Sequence, residues 1–327
     1  MNKKILLSVI IPCYNCEDYI YDCIQSVYQQ IDDSVEVIIV NDGSTDDSLR
    51  IINAFITETK KNSFTVISQE NQGLSAARNT GIKLAIGSYI ALLDGDDLWD
   101  ETFWQTIKPI VEDRPVDIIE FNANRFYNGD KDSRDLVSIV DDNTFIEVKT
   151  LHDLSHVFKK SQWFAWARVY KRELFSSICF PTGMRYEDIA TVPLLYHSAK
   201  NIISIKDELI LYRVREGSIT SSLIPGDIDD LIKVMSILNK ISTENSPHGL
   251  AIIKPSMIMT FKLMKRISTH IHGYCFFNDQ QIIKIKAIIP MFMKGERFGF
   301  YIKTLFLKQY CLINGMKYKF KNRRAVK

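Results

Sequence analysis

The sequence predicts an α/β protein whose first part is a mostly parallel sheet flanked by helices and whose last part is helical. Over roughly the first 120 residues, short apolar runs alternate with segments in which apolar residues recur at helical spacing. From Asp227 onward only the helical spacing continues, with Leu231, Val234, Met235 and Leu238 on one face. A polar loop follows each apolar run, and such loops gather at the ligand-binding edge of a parallel sheet.

The elements of the sheet region can be assigned in chain order. We predict strands over LLSVIIP, VEVIIV, FTVIS and SYIALL, and a fifth strand at Asp117–Asn122. The helices between them begin at Glu17, after NDGSTDD with N-caps at Ser44 and Thr45, and within NQGLSAARNTGIKLA. Residues 128–142 are polar and predict a mobile loop or a hairpin.

Length and composition limit the protein class. A chain of 327 residues suits one large domain with an appendage, or two domains. No apolar run reaches the ~18 residues that a membrane-spanning helix needs, and the first run meets Pro12 and a polar loop instead of a cleavage site. Cys13 and Cys16 have CxxC spacing, but no second pair completes a zinc site. We expect reduced thiols and a cytoplasmic protein.

Three acids, Asp94, Asp96 and Asp97, directly follow the strand SYIALL. Such close carboxylates repel one another unless they share a cation. An Asp-x-Asp pair at a strand end can place two carboxylates on one Mg²⁺ or Mn²⁺ and leave positions for phosphate oxygens. The alternative is a solvated acidic turn that caps the next helix, and Asp97 fits such a cap.

Four segments, SVIIPCYN, VNDGSTDDS, NQGLSAARNTGI and YIALLDGDD, occur in this order at strand–loop junctions. Together they resemble the family 2 glycosyltransferases of the GT-A fold, closely over Leu7–Trp99. RYEDIATVPLLYHSAKNI and YRVREGSIT resemble the subgroup that builds bacterial surface polysaccharides such as O-antigen and capsule. The resemblance implies a catalytic domain at 1–222, with a nucleotide-binding part at 1–122 and an acceptor part at 123–222, before a helical region at 223–327.

The resemblance assigns the donor side of the site. It implies that a nucleotide-sugar is bound by Pro12, Tyr14, Asn15, Asp42, Gly73, Arg78, Asp94, Arg213 and Arg215. Tyr14 would stack on the base, Asp42 would accept a hydrogen bond from uracil, and Arg78 would brace Asp94. Mn²⁺ or Mg²⁺ would be held by Asp96, with Asp94 facing the ribose or the metal. Without the resemblance, the alternative interpretations are that Tyr14 is a packing residue and that Asp42 forms an Asx turn before Gly43.

The acceptor side needs a base, because a sugar hydroxyl is a poor nucleophile until its proton is removed. The resemblance makes Asp188 the candidate base and Glu187 the second choice, in an inverting reaction without a covalent intermediate. The alternative for Asp188 is a helix N-cap. Trp163 and Trp166 are candidates for an acceptor platform; the alternative is that both are core residues. Arg213 and Arg215 would close over the diphosphate, or lie as exposed charges on a strand.

These roles predict a metal-dependent enzyme that moves one sugar from a nucleotide-sugar, such as a UDP-hexose or a UDP-N-acetylhexosamine, to a lipid-linked saccharide. Processive synthases carry a Q-x-x-R-W motif and spanning helices, and neither is present in the sequence. One alternative is a non-catalytic sugar-nucleotide-binding protein. Another is a haloacid-dehalogenase-like phosphatase, although Leu98 replaces its usual Thr or Val and three strands precede the acids. No module indicates nucleic-acid binding.

The C-terminal tail is basic and aromatic. Residues 284–327 contain twelve Lys and Arg against one acid, whereas residues 1–283 contain 29 basic and 38 acidic residues. We expect the tail to bind the anionic inner face of the cytoplasmic membrane through MKYKFKNRR, where the lipid-linked acceptor would lie. The segment upstream fits an interfacial amphipathic helix, whose apolar residues would be Phe298, Tyr301, Ile302, Leu305 and Phe306. The alternative is that these apolar residues pack on the catalytic domain.

Overall fold

The structure is a computed structural model that describes residues 4–59, 63–113, 115–127, 130–215, 222–244, 249–292 and 306–325. The chain forms two compact units. The first comprises residues 1–149, 163–183 and 187–215, and the second comprises residues 150–162, 184–186 and 216–327. The predicted functional boundary at residue 222 stays a prediction.

A ten-stranded mixed sheet forms the centre of the first unit. Its strands are β1 (Leu7–Cys13), β2 (Val35–Asn41), β3 (Phe64–Ser68), β4 (Tyr89–Leu92), β5 (Leu98–Trp99), β6 (Ile118–Tyr127), β7 (Asp130–Val137), β8 (Thr144–Glu147), β9 (Arg168–Lys171) and β10 (Asn201–Val214). The helices of this unit are α1 (Ile20–Tyr28), α2 (Ser48–Thr59), α3 (Leu74–Leu84), α4 (Phe103–Asp113) and α6 (Glu187–Ser198).

The strand order is β3-β2-β1-β4-β9-β6-β10-β5. The first four strands of this order are parallel, and β6 and β10 are parallel to each other, while β9 runs antiparallel between β4 and β6. β1 is buried at every position because it lies between β2 and β4, which explains its continuous apolar run. The predicted mostly parallel α/β fold is therefore confirmed.

Two helix starts differ from the prediction. Helix α1 begins at Ile20 instead of Glu17, because the amides of Tyr19 and Ile20 both donate to the Cys16 carbonyl in a tight turn. Helix α2 begins at Ser48, whose amide donates to Asp46. The prediction of N-caps at Ser44 and Thr45 is wrong, since both residues instead bond to Asn15 on the neighbouring loop.

The segment after the predicted fifth strand forms a hairpin. β6 extends to Tyr127, beyond the predicted end at Asn122, and β7 pairs antiparallel with it. Asn122 is buried and explains part of this extension: its side-chain oxygen accepts hydrogen bonds from the amides of Ile139 and Val140. One buried amide thus ties the returning chain to the middle of β6.

The second unit is helical. It contains the short helix α5 (Ser155–Lys160) and the long helices α7 (Gly226–Glu244), α8 (Gly249–His272), α9 (Asp279–Phe292) and α10 (Leu307–Ala325). The predicted apolar face of α7 is buried, including Leu231, Val234, Met235 and Leu238. No helix in the described ranges is both long enough and apolar enough to cross a membrane. The residues Phe298, Tyr301, Ile302 and Leu305 of the predicted interfacial helix lie outside the described residues.

Candidate active site

The predicted site residues of the donor side lie where β1, β2 and β4 end. Because these three strands are parallel neighbours, their carboxyl ends meet at one edge of the sheet. The β1 end leads to Tyr14, the β2 end to Asp42, and the β4 end to Asp94 and Asp96. The topology therefore collects at one edge four residues that lie up to 82 positions apart in the chain.

The loop after β1 is fastened to the loop after β2. Asn15 adopts a left-handed backbone with φ of 50°. Its side-chain oxygen accepts a hydrogen bond from the Thr45 amide at 2.8 Å, and its own amide donates to Ser44 Oγ at 3.1 Å. Pro12 is buried within β1 and in register with Val40, and the nucleotide-binding role that the resemblance implies for it stays a prediction. The Tyr14 ring is 49% exposed, so one face is open to a ligand.

Asp42 organises the loop between β3 and α3. Its carboxylate accepts hydrogen bonds from Gln69 Nε2 at 2.7 Å and from the amides of Gln72 and Gly73 at 3.0 and 2.8 Å. These three bonds use most of the roughly four acceptor positions of a carboxylate. Asp42 does not take the alternative role of an Asx turn, because its carboxylate bonds to the loop at residues 69–73, while the Ser44 amide donates to Asn41 Oδ1, three residues back, at 3.1 Å.

The backbone conformation at position 73 requires glycine. Gly73 is the N-cap of α3 and has φ of 88° and ψ of 166°, a region that is essentially restricted to glycine. Open space surrounds the position where a Cβ would lie, so crowding is not the reason for glycine here. This conformation turns the Gly73 amide toward Asp42, at 2.8 Å.

The three acids after β4 have different partners. Asp94 Oδ1 lies 2.8 Å from Arg78 Nη2, and Asp96 Oδ2 lies 2.6 Å from Arg215 Nε. Asp97 is fully buried and accepts a hydrogen bond from the Arg213 amide at 2.8 Å. This hydrogen bond holds the end of β10 against the acid loop. The Asp97 amide also closes a turn onto the Asp94 carbonyl.

Burial opposes ionisation in this cluster. Burial, followed by the negative charge of Asp94, raises the pKa of Asp96, and the Arg215 guanidinium opposes this effect. Burial and the charges of Asp96 and Asp94 raise the pKa of Asp97 well above its ordinary value. The acid loop therefore needs compensating positive charge to remain fully ionised, and within the described residues Arg78, Arg213 and Arg215 supply it.

A second carboxylate pair meets the first through one arginine. Arg78 Nη1 donates to Glu187 Oε1 at 3.0 Å and to Asp188 Oδ1 at 2.8 Å, while its Nη2 donates to Asp94. The Arg78 side chain is only 1% exposed, and its guanidinium carbon lies 5.3 Å from the Phe180 ring centroid. Arg78 braces Asp94 as expected, and it also holds both candidates for the base.

Glu187 and Asp188 begin α6, and their environment changes their acidity. Asp188 Oδ2 also accepts a hydrogen bond from the Ala165 amide at 3.0 Å. Burial, followed by the Asp188 charge, raises the pKa of Glu187 to about 7, and burial raises the pKa of Asp188 as well. Carboxylates with pKa values near neutrality are suited to accept a proton during catalysis. Tyr186, directly before this pair, has a left-handed backbone with φ of 63°, which is strained for an aromatic residue.

The two arginines at the end of β10 differ. Arg213 is buried, its Nε donates to the Asp96 carbonyl at 2.8 Å, and its guanidinium carbon lies 4.6 Å from the centroid of the Phe126 ring. Arg215 is the first residue beyond β10, and its side chain is 26% exposed. The contacts fix Arg213 in the protein interior and leave Arg215 nearer to solvent. The diphosphate role of both stays a prediction.

Trp163 and Trp166 are core residues. They are 4% and 3% exposed, the Trp166 ring stacks on Phe164 and Tyr212, and Trp163 meets Tyr196 edge-on. An acceptor platform needs an open aromatic face, and neither ring offers one. The alternative interpretation, packing within the first unit, therefore fits this geometry better.

The donor chemistry fits a divalent cation. Hydrogen bonds to described residues use Oδ1 of Asp94 and Oδ2 of Asp96, so each carboxylate keeps one oxygen for another ligand. No group of three or more His, Cys, Asp or Glu residues suited to a metal occurs in the part of the chain that the structure describes. Mg²⁺ commonly binds through one or two carboxylates and completes its shell with phosphate oxygens and water, which matches this pair.

Sequence reasoning missed several contributors. Gln69 orders Asp42 and accepts a hydrogen bond from Thr80 at 2.7 Å. The rings of Tyr19 and Phe126 contact the two arginines at the end of β10. The NQG segment indicated that the loop with Gln72 and Gly73 belongs to the site, but no motif in the sequence indicated a role for Tyr19 or Phe126. Their roles depend on contacts between segments that are distant in sequence.

Comparison with known proteins agrees with this geometry. The family model described as "Glycosyl transferase family 2" matches residues 8–175. Glycosyltransferase GlyG of Streptococcus pneumoniae serotype 4 is 34% identical over 223 residues, which cover 65% of this chain and 72% of GlyG. The Escherichia coli chondroitin synthase is 45% identical over 92 residues, 28% of this chain and 13% of that protein.

The fold is also similar to that of S. aureus TarS 1–349, solved in complex with UDP-GlcNAc. The two structures share 21% sequence identity with a TM-score of 0.71, over 88% of this chain and 81% of TarS 1–349. The chain belongs to family 2 of the glycosyltransferases and has the GT-A fold, as its ordered motifs predicted.

Proposed function

We propose that the chain transfers one sugar from a uridine nucleotide-sugar to a hydroxyl of a growing saccharide, with inversion at the anomeric carbon. One observation carries this proposal: a single buried guanidinium, Arg78, contacts the donor-side Asp94 and the acceptor-side Glu187 and Asp188 at 2.8–3.0 Å. A reaction between a nucleotide-sugar and a hydroxyl needs these two functions close together. Arg78 fixes their separation.

The donor end of the site suits a uridine diphosphate sugar. Tyr14 presents an exposed ring for a base, and Asp42 retains an acceptor position for a ring N–H. TarS, which shares the fold, binds UDP-GlcNAc. Family 2 enzymes generally use a divalent cation, and we assign Mn²⁺ or Mg²⁺ to Asp96 with support from Asp94. Such a cation supplies positive charge to the leaving diphosphate.

The acceptor end supplies the base. Asp188 is held on one oxygen by Arg78 and on the other by the Ala165 amide, so its orientation is fixed. Asp188 would take the proton of the acceptor hydroxyl as that oxygen attacks the anomeric carbon. Direct attack inverts the configuration there. Glu187, beside it, shares the same guanidinium and is the second candidate.

The decisive experiment offers the purified chain a panel of UDP- and dTDP-sugars with a lipid-linked saccharide acceptor and detects products by mass spectrometry. We expect a mass gain of one sugar, and NMR of the product should show the inverted linkage. Asp188→Asn, assayed in parallel, is the matched control. Donor binding without any product would support the non-catalytic alternative, and phosphate release from simple esters would support the phosphatase. Repeated additions would contradict single-sugar transfer.

A lipid-linked acceptor lies in a membrane, so the enzyme must reach the membrane surface. We propose that α10 contacts this surface. Leu307 and Cys311 are buried on one side of this helix, whereas Leu312, Ile313 and Met316 are 57%, 48% and 54% exposed on the other. The exposed Lys317 borders this apolar face. The basic side chains beyond it, Lys319, Lys321, Arg323 and Arg324, lie outside the described side chains. An apolar face bordered by Lys317, in a segment whose sequence continues with these four further basic residues, suits the anionic inner surface of the cytoplasmic membrane.

Charge reversal tests the membrane contact. Changing Lys317, Lys319, Lys321, Arg323 and Arg324 to Glu should release the protein from vesicles that contain phosphatidylserine, since each basic residue contributes about 1 kcal/mol near such a surface. Transfer to a soluble acceptor analogue should persist. The matched control reverses five exposed basic residues of the first unit: Arg50, Lys83, Lys149, Lys200 and Lys206. Unchanged co-sedimentation of the tail variant at low salt would contradict the proposal.

A further inference from the structure

The two arginines that approach the acid loop from β10 are held in different ways. Arg213 donates from Nε to the Asp96 carbonyl at 2.8 Å and from its own amide to Asp97 at 2.8 Å. Its guanidinium carbon lies 5.0 Å from the Tyr19 ring centroid and 4.6 Å from that of Phe126. Arg213 is buried and belongs to the packing of the loop.

Arg215 makes its ion pair with a side chain. Its Nε lies 2.6 Å from Asp96 Oδ2, and the two side chains are 26% and 20% exposed. The Arg215 guanidinium carbon also lies 5.3 Å from the Tyr19 ring centroid. Both side chains of the pair therefore keep part of their surface in contact with solvent. Solvent contact weakens an ion pair relative to a fully buried one and lets its partners exchange.

We propose that Arg215 is an exchangeable counter-ion, which neutralises Asp96 in the free enzyme and gives up this carboxylate to a divalent cation when the donor diphosphate arrives. The inference rests on the proposed function, in which Asp96 is the metal ligand. The guanidinium binds one oxygen of the carboxylate that the cation needs, and the two positive groups compete because they would lie side by side on it. A diphosphate offers Arg215 a new anionic partner with geometry suited to a guanidinium.

This exchange has a thermodynamic consequence. In the free enzyme, a cation that binds the remaining oxygen of Asp96 lies beside the Arg215 guanidinium, and the two positive charges repel each other. With a diphosphate bound, Arg215 has a new anionic partner and the competition disappears. The nucleotide therefore strengthens cation binding, and by reciprocity the cation strengthens nucleotide binding to the same degree.

The test measures Mn²⁺ affinity of the full chain by electron paramagnetic resonance, with and without saturating UDP. Without UDP, Arg215→Gln should bind Mn²⁺ about fivefold or more tightly than the parent, at the lower end of usual coupling between sites. With UDP, this advantage should vanish, because Arg215 has left Asp96 in the parent. Near-ultraviolet circular dichroism checks that the variant is folded.

Two control variants test whether the effect is specific to the Arg215–Asp96 pair. Lys149→Gln removes an exposed positive charge that pairs with Glu147, beside the opposite end of β10, and should leave Mn²⁺ affinity unchanged. Asp96→Asn should weaken Mn²⁺ binding; if it binds as tightly as the parent, the proposed metal site itself is wrong. If Asp96→Asn weakens binding but Arg215→Gln does not tighten it, the exchange alone is wrong. An advantage of Arg215→Gln that persists with UDP would also overturn it.

Discussion

Two arginines neutralise separate sets of carboxylates in the candidate site, and they differ in burial. Arg78 is 1% exposed and contacts Asp94, Glu187 and Asp188 together. Arg215 is 26% exposed and contacts Asp96 alone among these carboxylates. Charge compensation is therefore permanent in one cluster and exchangeable in the other.

This difference follows from the cost of losing a partner. An uncompensated charge in the interior is expensive, so removing a buried cation destabilises the fold. A cation that reaches solvent, as Arg215 does, can turn to water or to another anion at a lower cost than a fully buried one. The fixed arginine suits groups whose geometry must not change, such as a base and its support. The exchangeable arginine suits a group that must accept a ligand.

The largest effect is expected on stability. Arg78→Gln should lower the free energy of unfolding by about 3–5 kcal/mol, because it removes a fully buried guanidinium that neutralises three carboxylates. Arg215→Gln, the matched substitution, should change it by less than about 1 kcal/mol. Tryptophan fluorescence during urea unfolding measures both, since all four tryptophans lie in the first unit. Equal losses in the two variants would remove the distinction between fixed and exchangeable cations.

The next effect concerns the base. Asp188→Asn should reduce turnover by about 10²-fold or more, the usual scale for a general base. The KM for the donor should barely change, because the proposed function places Asp188 on the acceptor side. Steady-state kinetics with varied donor measures both quantities. Glu187→Gln is the control, and if it loses more turnover than Asp188→Asn, the roles of the two carboxylates are exchanged.

The smallest effect is a shift in pH dependence. The base must be ionised to accept a proton, so turnover should fall as pH drops through the pKa of the carboxylate pair. Burial and the Asp188 charge raise the pKa of Glu187 to about 7, which places this limb near neutral pH. In Glu187→Gln only one carboxylate remains, and the limb should move down by about one pH unit, because like charges no longer oppose each other. A limb that stays in place would show that the pair does not control turnover.

Much of the site can be predicted from the sequence. The order of the strand–loop junctions places Tyr14, Asp42, Asp94 and Asp96 at one sheet edge, because parallel strands carry their loops at the same end. The acceptor-side Glu187–Asp188 pair is found through the family motif. The tryptophans are harder to interpret, because a Trp in sequence gives no sign of whether its face is open. Trp163 and Trp166 are both buried.

Prediction from local sequence pattern also fails where a side chain can bond either to a residue nearby in sequence or to a residue of another loop. Ser44 and Thr45 are residue types that commonly cap helices, yet both bond to Asn15, about 30 residues away. Asp42 is a residue type that commonly forms an Asx turn, yet Asn41 accepts the hydrogen bond from the Ser44 amide and Asp42 holds the loop at residues 69–73. In each case a residue of a neighbouring loop replaces the local partner. Residue spacing along the chain does not show which partner is nearer once the chain has folded.

By itself, the sequence determined the α/β fold, the edge of the sheet that holds the site and the residue types found there. Apolar periodicity and turn chemistry are local, so they can be read from neighbouring positions. Only the tertiary structure decided which cation neutralises which carboxylate. Arg78 meets Glu187 across 109 positions, and Arg215 meets Asp96 across 119. Burial, which makes the first pairing permanent and the second exchangeable, exists only once the chain has folded.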